Sequence, residues 1–547
     1  MVETETVKAS NISDKKLRKA LTTWDLLFLS LGGIIGSGWL FAASGAAILA
    51  GPGSIFAWII GGLIVLVIAL VYSELGAMIP RSGAIVRYAQ YSHGSFAGYL
   101  FGWAYFLSAV SVPAIEAEAV ITYAGTYIKG LVAPTGVLSA LGILLAALLM
   151  ILFFFLNYLG VRIMGKTNTG MTWWKLIIPV GTVIALFVVH FNVSNFFLST
   201  GTVPYGWSSV FAAVSLSGIV FSYLGFRQAL DYGGEAKTPQ KSIPRATVGS
   251  VLIGIALYTL LQVVFIGQVN WAKIGVTVGH WNALTGGVVT APFATLASSA
   301  GLVALTYLLF ADAYVSPSGT LNVYLGTSQR TLYGLGTMGY FPRSMIKVHE
   351  KHRIPVLPLL VSLLIGFIFF IPFPSWYKMV GFISSSTVFT YIVGGTALMT
   401  LRKHASDFKR PFKLRGASIL SPIAFIGASE IVYWTGWPLV AYLAIAIFIG
   451  LVLWVVMVYV FKAPGKFDAK SLKAGMWVPV FVIVLVILSY IGGASFGGRG
   501  FLSFPLDLIV VAFVALIFYF WSLYSGYKTE EIVEIGTLGT QYLQEEE

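Results

Sequence analysis

Four glycines fall within seven residues, Gly32-Gly33-Ile34-Ile35-Gly36-Ser37-Gly38, inside the first long apolar run of this 547-residue chain. Glycine inside a helix costs about 1 kcal/mol relative to alanine, so such a cluster marks a break rather than a plain span. Hydrocarbon offers no water to the backbone groups a break frees, so the break must face a protein-lined site. Freed N–H groups there can hold an anion and freed carbonyls a cation. A zwitterion presents both charges. A second interruption is written at Ser215-Leu216-Ser217-Gly218-Ile219-Val220-Phe221-Ser222-Tyr223-Leu224-Gly225-Phe226. Close-packing glycines in two uninterrupted helices are the plainer account of either cluster alone.

Charged residues inside apolar runs are the other chemistry-bearing positions, since each costs about 2.5–3.5 kcal/mol at bilayer centre even on lenient scales. Lys175, Arg227, Glu116, Glu118 and Asp312 all fall in such places. Lys175 lies roughly 13 Å into its span at 1.5 Å per residue, awkwardly deep for snorkelling. Burial disfavours a lysine's charge, so such a group can load and release a proton during a cycle; a structural hydrogen-bonding lysine is the alternative. Glu116 and Glu118 are two apart and face different sides of a helix, so at most one of them faces a pathway. Ser316, Ser318 and Thr320 are hydroxyls that could line the same pocket as Lys175. Glu74 and Glu235 fall near inner helix ends, where loop salt bridges are expected.

The elements that must position these residues follow from composition. Of all residues 57% are hydrophobic and only 10% charged, against roughly 25% charged in soluble domains. Continuous apolar runs of about 20 residues recur along the chain, which predicts a polytopic all-α membrane protein and not a β-barrel. We read fourteen spans, near 24–50, 54–79, 94–128, 137–158, 167–191, 207–231, 245–267, 296–327, 356–372, 376–401, 418–434, 438–461, 475–492 and 505–526. With the N-terminus in the cytoplasm, the inner segments hold 28 of the 34 Lys and Arg residues. The outer loops hold only Lys129, Lys273, Lys378 and Arg499. This is the positive-inside asymmetry, so both termini are expected in the cytoplasm of a multi-pass cell-membrane protein. The net charge of +13 then records topology and gives no reason to expect a nucleic-acid partner. Inner basic loops can touch anionic membrane lipid. Residues 1–23 and the acidic end, 527–547, read as loosely ordered tails. No cysteine is present, which excludes disulfides and thiolate metal sites. No metal-ligand spacing and no cofactor signature appears, and the oligomeric state is not written in the sequence.

The two breaks lie five spans apart, as expected when spans 1–5 (24–191) and 6–10 (207–401) form inverted repeats that meet at a midplane site, with 418–526 outside them. At this point the chain resembles the amino acid–polyamine–organocation (APC) superfamily of amino acid permeases. The resemblance rests on Ile34-Ile35-Gly36-Ser37-Gly38, Tyr72-Ser73-Glu74-Leu75 with Pro80-Arg81-Ser82-Gly83, and Gly225-Phe226 before Glu235-Ala236-Lys237-Thr238-Pro239 and Ile243-Pro244-Arg245. It continues in Ser328-Gln329-Arg330-Thr331-Leu332-Tyr333, Gly339-Tyr340-Phe341-Pro342 with Lys347-Val348-His349, Leu401-Arg402-Lys403 and Arg410-Pro411-Phe412. It covers roughly residues 20–415.

The resemblance implies a LeuT-type fold with helices 1 and 6 discontinuous, plus four further C-terminal helices, where common members have twelve spans. It implies secondary active transport of amino acids by alternating access. The substrate carboxylate would meet the N–H and hydroxyl of Ser37 and the N–H of Gly38, next to Gly36. The ammonium would meet carbonyls of Ile34, Phe221 and Leu224, with Ser222 between the last two. Phe221 would be an aromatic lid, or simple core packing, and Tyr324 its partner. A span-five lysine serves proton coupling in several members, and Lys175 matches that position. Read from the residues alone, Glu116, Glu118 and Asp312 could accept protons or pair with Lys175 or Arg227. Many relatives carry glutamate after the Gly-Phe of span six, where this chain has Arg227. A cation there favours an acidic amino acid, aspartate or glutamate; an ion pair to Asp231, one turn on, is the equal alternative. The expected function is proton-coupled import of an amino acid. Exchange and sodium coupling are the rivals within transport. A membrane-embedded enzyme would need a catalytic constellation that the six scattered histidines do not supply. A channel would need a filter sequence, which is missing, and a receptor would bind without flux.

Overall fold

The computed structural model describes residues 17, 19–133, 136–198, 201–372, 375–465 and 467–536. Among the described residues the architecture is helical, with only two isolated bridges, Leu21 to Ala236 and Val132 to Leu138. Residues 1–16 and 18 of the amino-terminal tail and 537–547 of the acidic end lie outside the described residues.

Helix α1 (Thr23–Ile34) opens on a capping box in which Thr22 and Asp25 satisfy each other's backbone N–H. It stops at Ile35, and α2 (Ser37–Ala50) restarts after Gly36. A Cβ on Gly36 would lie 2.5 Å from Thr320 Oγ1 and 2.7 Å from Glu116 Oε1, so close approach of two neighbours demands glycine. Next come α3 (Ser54–Met78), α4 (Ala84–Ala124), α5 (Ala140–Tyr158) and α6 (Val161–Val188). Helix α4 is kinked at Gly94, whose φ of 80° sets an arm, 84–93, apart from the span proper.

The second interruption separates α7 (Trp207–Leu216) from α8 (Ile219–Tyr223). Its pivot is Gly218 at φ 95°, ψ 6°, a left-handed conformation that L side chains resist. The pair Trp207–Leu216 and Ile219–Asp231 bends by 52°. Both interruptions therefore exist in the structure. They also touch, because a Cβ on Gly225 would collide with the backbone of Gly33 and Ile34.

The longer helices that follow are α9 (Pro239–Gln268), α10 (Val303–Thr337), α11 (Val356–Ile368), α12 (Trp376–His404), α13 (Ala417–Trp434), α14 (Leu439–Tyr459), α15 (Trp477–Ile491) and α16 (Leu506–Ser525). Among the described residues ten helices are long and apolar enough to cross a membrane, with Ser37–Met78 taken as one, or eleven counting the bent pair. Burial sorts them. The most apolar windows of α4 and α12 are 94% buried, whereas that of α5 is 28% buried. Leu144, Leu148 and Leu152 of α5 and Ile177 and Ile184 of α6 stand exposed. An apolar face of that kind is stable against lipid and not against water. The polar residues of α4, α10 and α12 are enclosed by protein instead, which is where membrane helices can carry them.

The acidic end is not wholly loose. Residues 530–536 are helical, and Ile532 is fully buried. Tyr527 N–H donates to Ser92 O at 3.0 Å, and Thr529 Oγ1 donates to Tyr91 O at 3.1 Å.

Candidate functional site

The two breaks gather most of the residues singled out in the sequence. Lys175, on α6, is fully buried. Its Nζ donates to Gly32 O at 2.8 Å and to Thr320 Oγ1 at 2.9 Å. Thr320 Oγ1 in turn donates to Gly32 O at 2.7 Å. The ammonium thus clamps the frayed end of α1 to α10, taking a carbonyl that the break leaves without a helical partner. Removing a charge from water costs several kcal/mol, and charge-assisted bonds of this kind return about 1.5–3 kcal/mol each. Glu116 and Asp312 are not in ion-pair contact with Lys175 among the described residues. Of the three hydroxyls proposed from sequence, Thr320 reaches the lysine, whereas Ser316 Oγ donates to Asp312 Oδ1 at 2.7 Å.

Glu116 does something the sequence did not reveal. Its Oε2 accepts the Ser37 N–H at 2.8 Å, the donor expected to receive a substrate carboxylate. A side-chain carboxylate therefore already sits at the start of α2, where an unsatisfied N–H and the helix dipole both favour an anion. The Ser37 hydroxyl accepts from Trp376 Nε1 at 2.7 Å. Asp312 takes the Trp39 indole N–H at 3.1 Å. Glu118, two positions beyond Glu116, is fully buried with neither oxygen partnered among the described residues.

Of the carbonyls expected to face an ammonium, Ile34 O already accepts the Tyr258 hydroxyl at 2.7 Å, and Phe221 O accepts Leu224 N–H. Each carbonyl has a second lone pair, so neither bond closes the position. Ser222 folds its hydroxyl back onto Gly218 O at 2.8 Å, and a Cβ on Gly38 would strike that same side chain. Phe221 packs edge-on against Trp376, centroids 6.1 Å apart. Trp376, at the start of α12, thereby spans both breaks. No local sequence signal marks it, since only the tertiary fold brings it over Ser37 and Gly218.

Arg227 lies beyond α8, fully buried. Its guanidinium lies against the rings of Tyr105 at 4.6 Å and Tyr324 at 4.9 Å. Nη1 donates to Ser108 Oγ at 3.2 Å, while Nε and Nη2 have no partner among the described residues. Each buried, unmade bond costs about 1–3 kcal/mol. The ion pair to Asp231 weighed from sequence is not formed; the Asp231 Oδ2 accepts the Tyr105 hydroxyl instead.

Below the site lie firm ion pairs. Arg330 is bidentate to Glu235 through Nε at 2.5 Å and Nη2 at 3.0 Å, and stacks on Tyr232 at 4.0 Å. Arg402 grips Glu74 at 2.9 and 2.6 Å. The salt bridges expected of Glu74 and Glu235 are present.

A multi-pass helical protein with two interrupted helices in contact, anion-binding N–H groups at one break and the buried cations Lys175 and Arg227 has the parts of a transporter for small charged solutes. The amino acid permease family matches residues 21–486. The chain belongs to that family, within the APC superfamily, and is a transporter rather than an enzyme. The glutamate/serine transporter AimA of Bacillus subtilis (strain 168) is 39% identical over 535 residues, covering 96% of this chain and 98% of that protein. The aspartate-proton symporter of the same organism is 37% identical over 519 residues, covering 93% and 97% respectively. A branched-chain amino acid permease, BcaP, is 24% identical over 463 residues, covering 82% and 94%.

Proposed function

We propose that this permease imports acidic amino acids by proton-coupled symport. The observation that carries the reading is Arg227, a fully buried guanidinium nine residues beyond the Gly218 pivot whose Nε and Nη2 have no partner among the described residues. Such a fork matches a carboxylate bidentately and opposes cationic substrates. The names of two relatives of nearly the same length, a glutamate/serine transporter and an aspartate-proton symporter, support both halves of the reading.

In this reading the substrate's α-carboxylate takes the N–H groups of Ser37 and Gly38. Its ammonium takes the free lone pairs of Ile34, Phe221 and Leu224, and its side-chain carboxylate takes Arg227. Phe221 and Tyr324 enclose it. Lys175 carries the coupling proton, and its bonds to Gly32 O and Thr320 Oγ1 make the hold on the end of α1 depend on that proton, while Glu116, Glu118 and Asp312 are the remaining proton acceptors. The fold is a LeuT-type 5+5 inverted repeat with fourteen spans and both termini cytoplasmic. That count takes α3 apart from α1–α2 and includes polar α10 and short α11 as spans.

Reconstitution in proteoliposomes tests it. Uptake of labelled aspartate, glutamate and a panel of neutral and basic amino acids is measured under imposed proton and sodium gradients separately. Aspartate or glutamate accumulation driven by the proton gradient, abolished in Lys175→Ala with counterflow retained, is the expected result. Uptake of leucine without aspartate, or unchanged accumulation by Lys175→Ala, would refute the corresponding half.

A further inference from the structure

Arg227 and Asp231 stand four residues apart, a spacing that brings opposite charges together on one helical face. Both are fully buried, and both keep open valences. Nε and Nη2 of Arg227 and Oδ1 of Asp231 have no hydrogen-bond partner among the described residues. Two groups that would satisfy one another are held apart.

Tyr105, on α4, engages both of them. Its hydroxyl donates to Asp231 Oδ2, and its ring lies against the guanidinium, 4.6 Å from centroid to Cζ. Ser108, three residues on in the same helix, takes Arg227 Nη1 at 3.2 Å. The Tyr324 ring also lies against it, 4.9 Å from centroid to Cζ. The guanidinium is thus fixed by two rings and one hydroxyl, none of which consumes the Nε–Nη2 edge. That edge is the one a carboxylate grips with two parallel bonds.

We propose that Tyr105 is a specificity-positioning residue: it holds Asp231 off Arg227 and so keeps the guanidinium fork open for the side-chain carboxylate of an acidic substrate. The inference rests on the reading of Arg227 given above. Without the phenol hydroxyl, Asp231 has neither oxygen paired by a side chain, and Arg227 is the cation one turn away. Arg330, the other cation nearby, is already committed to Glu235. The carboxylate then turns to Arg227 and competes with substrate for the fork.

Tyr105→Phe keeps the ring and removes only the spacer bond. Its KM for aspartate is expected to rise about tenfold, the equivalent of about 1.4 kcal/mol of internal competition. The KM for a neutral amino acid taken from the uptake panel stays within about twofold on the same scale. Adding Asp231→Asn to Tyr105→Phe removes the competitor and restores aspartate uptake. A merely structural tyrosine would weaken both substrates alike and would not be rescued by a second change. Equal loss of both activities without recovery in the double variant therefore overturns the assignment, as does an unchanged aspartate KM in Tyr105→Phe. Arg227→Gln separates the two levels. If it leaves the ratio of aspartate to neutral uptake untouched, the acidic-substrate reading itself fails. If it collapses that ratio while Tyr105→Phe does not, only the spacer role fails.

Discussion

Gly218→Ala attacks the second helix break with one methyl group. Gly218 sits at φ 95°, ψ 6°, and a left-handed conformation costs a non-glycine residue about 1–2 kcal/mol. The new Cβ would also lie 2.6 Å from Cη2 of Trp376, so the indole must move. That indole donates to the Ser37 hydroxyl at 2.7 Å, a bond worth about 0.5–1.5 kcal/mol net. Together the two effects amount to about 1.5–3.5 kcal/mol, or roughly ten- to three-hundredfold in substrate affinity at 1.4 kcal/mol per decade. Binding of labelled substrate to detergent-purified protein, followed by uptake in proteoliposomes, reads the effect. Trp376→Phe alone deletes the hydrogen bond and keeps a ring over the break, so it is expected to lose only the smaller part, about two- to tenfold. Wild-type affinity and uptake in Gly218→Ala would refute the claim that an interrupted helix at this position builds the site.

Two further expectations follow from single contacts. Glu116→Gln removes the ionised form of the acceptor of the Ser37 N–H, which binds it more strongly than an amide oxygen does by about 1 kcal/mol. An incoming substrate carboxylate then displaces it more easily, and binding should tighten about fivefold with a flatter dependence on pH; weaker binding with an unaltered pH profile would give Glu116 a structural role. At the other end of the chain, burial pushes the Glu531 carboxyl above the usual glutamate range, and Gln90 Nε2 donates to it. The docked segment therefore holds the proton more tightly than the released one. Docking is most favourable at low pH and is lost as pH rises through the docked value. Hydrogen exchange over residues 530–536, corrected for its intrinsic pH dependence, should speed up on that rise in the wild type and not in Glu531→Gln.

The two breaks were legible because glycine density is a local property, and Gly36 and Gly218 are required by close neighbours and by backbone angle respectively. The buried charges were legible as well, because apolar surroundings make a lone Lys175 or Arg227 conspicuous. Their partners were not. Glu116 reaches Ser37 across 79 positions and Trp376 reaches it across 339, and no periodicity encodes contacts of that range. Charge spacing suggested Asp231 as a mate for Arg227, and it failed because an aromatic from another helix intervenes. The helical stretch 530–536 was readable in part. Ile532 and Ile535 recur at helical spacing, but the surrounding glutamates dominated the composition.

Just before the kink at Gly94, the carbonyls of Tyr91 and Ser92 in the 84–93 arm accept hydrogen bonds from Thr529 and Tyr527 of the chain's carboxy-terminal stretch. Arm and tail are in effect buckled together, although more than 400 positions separate them in sequence. A spin label or dye placed at exposed Val533 would consequently report the posture of the arm.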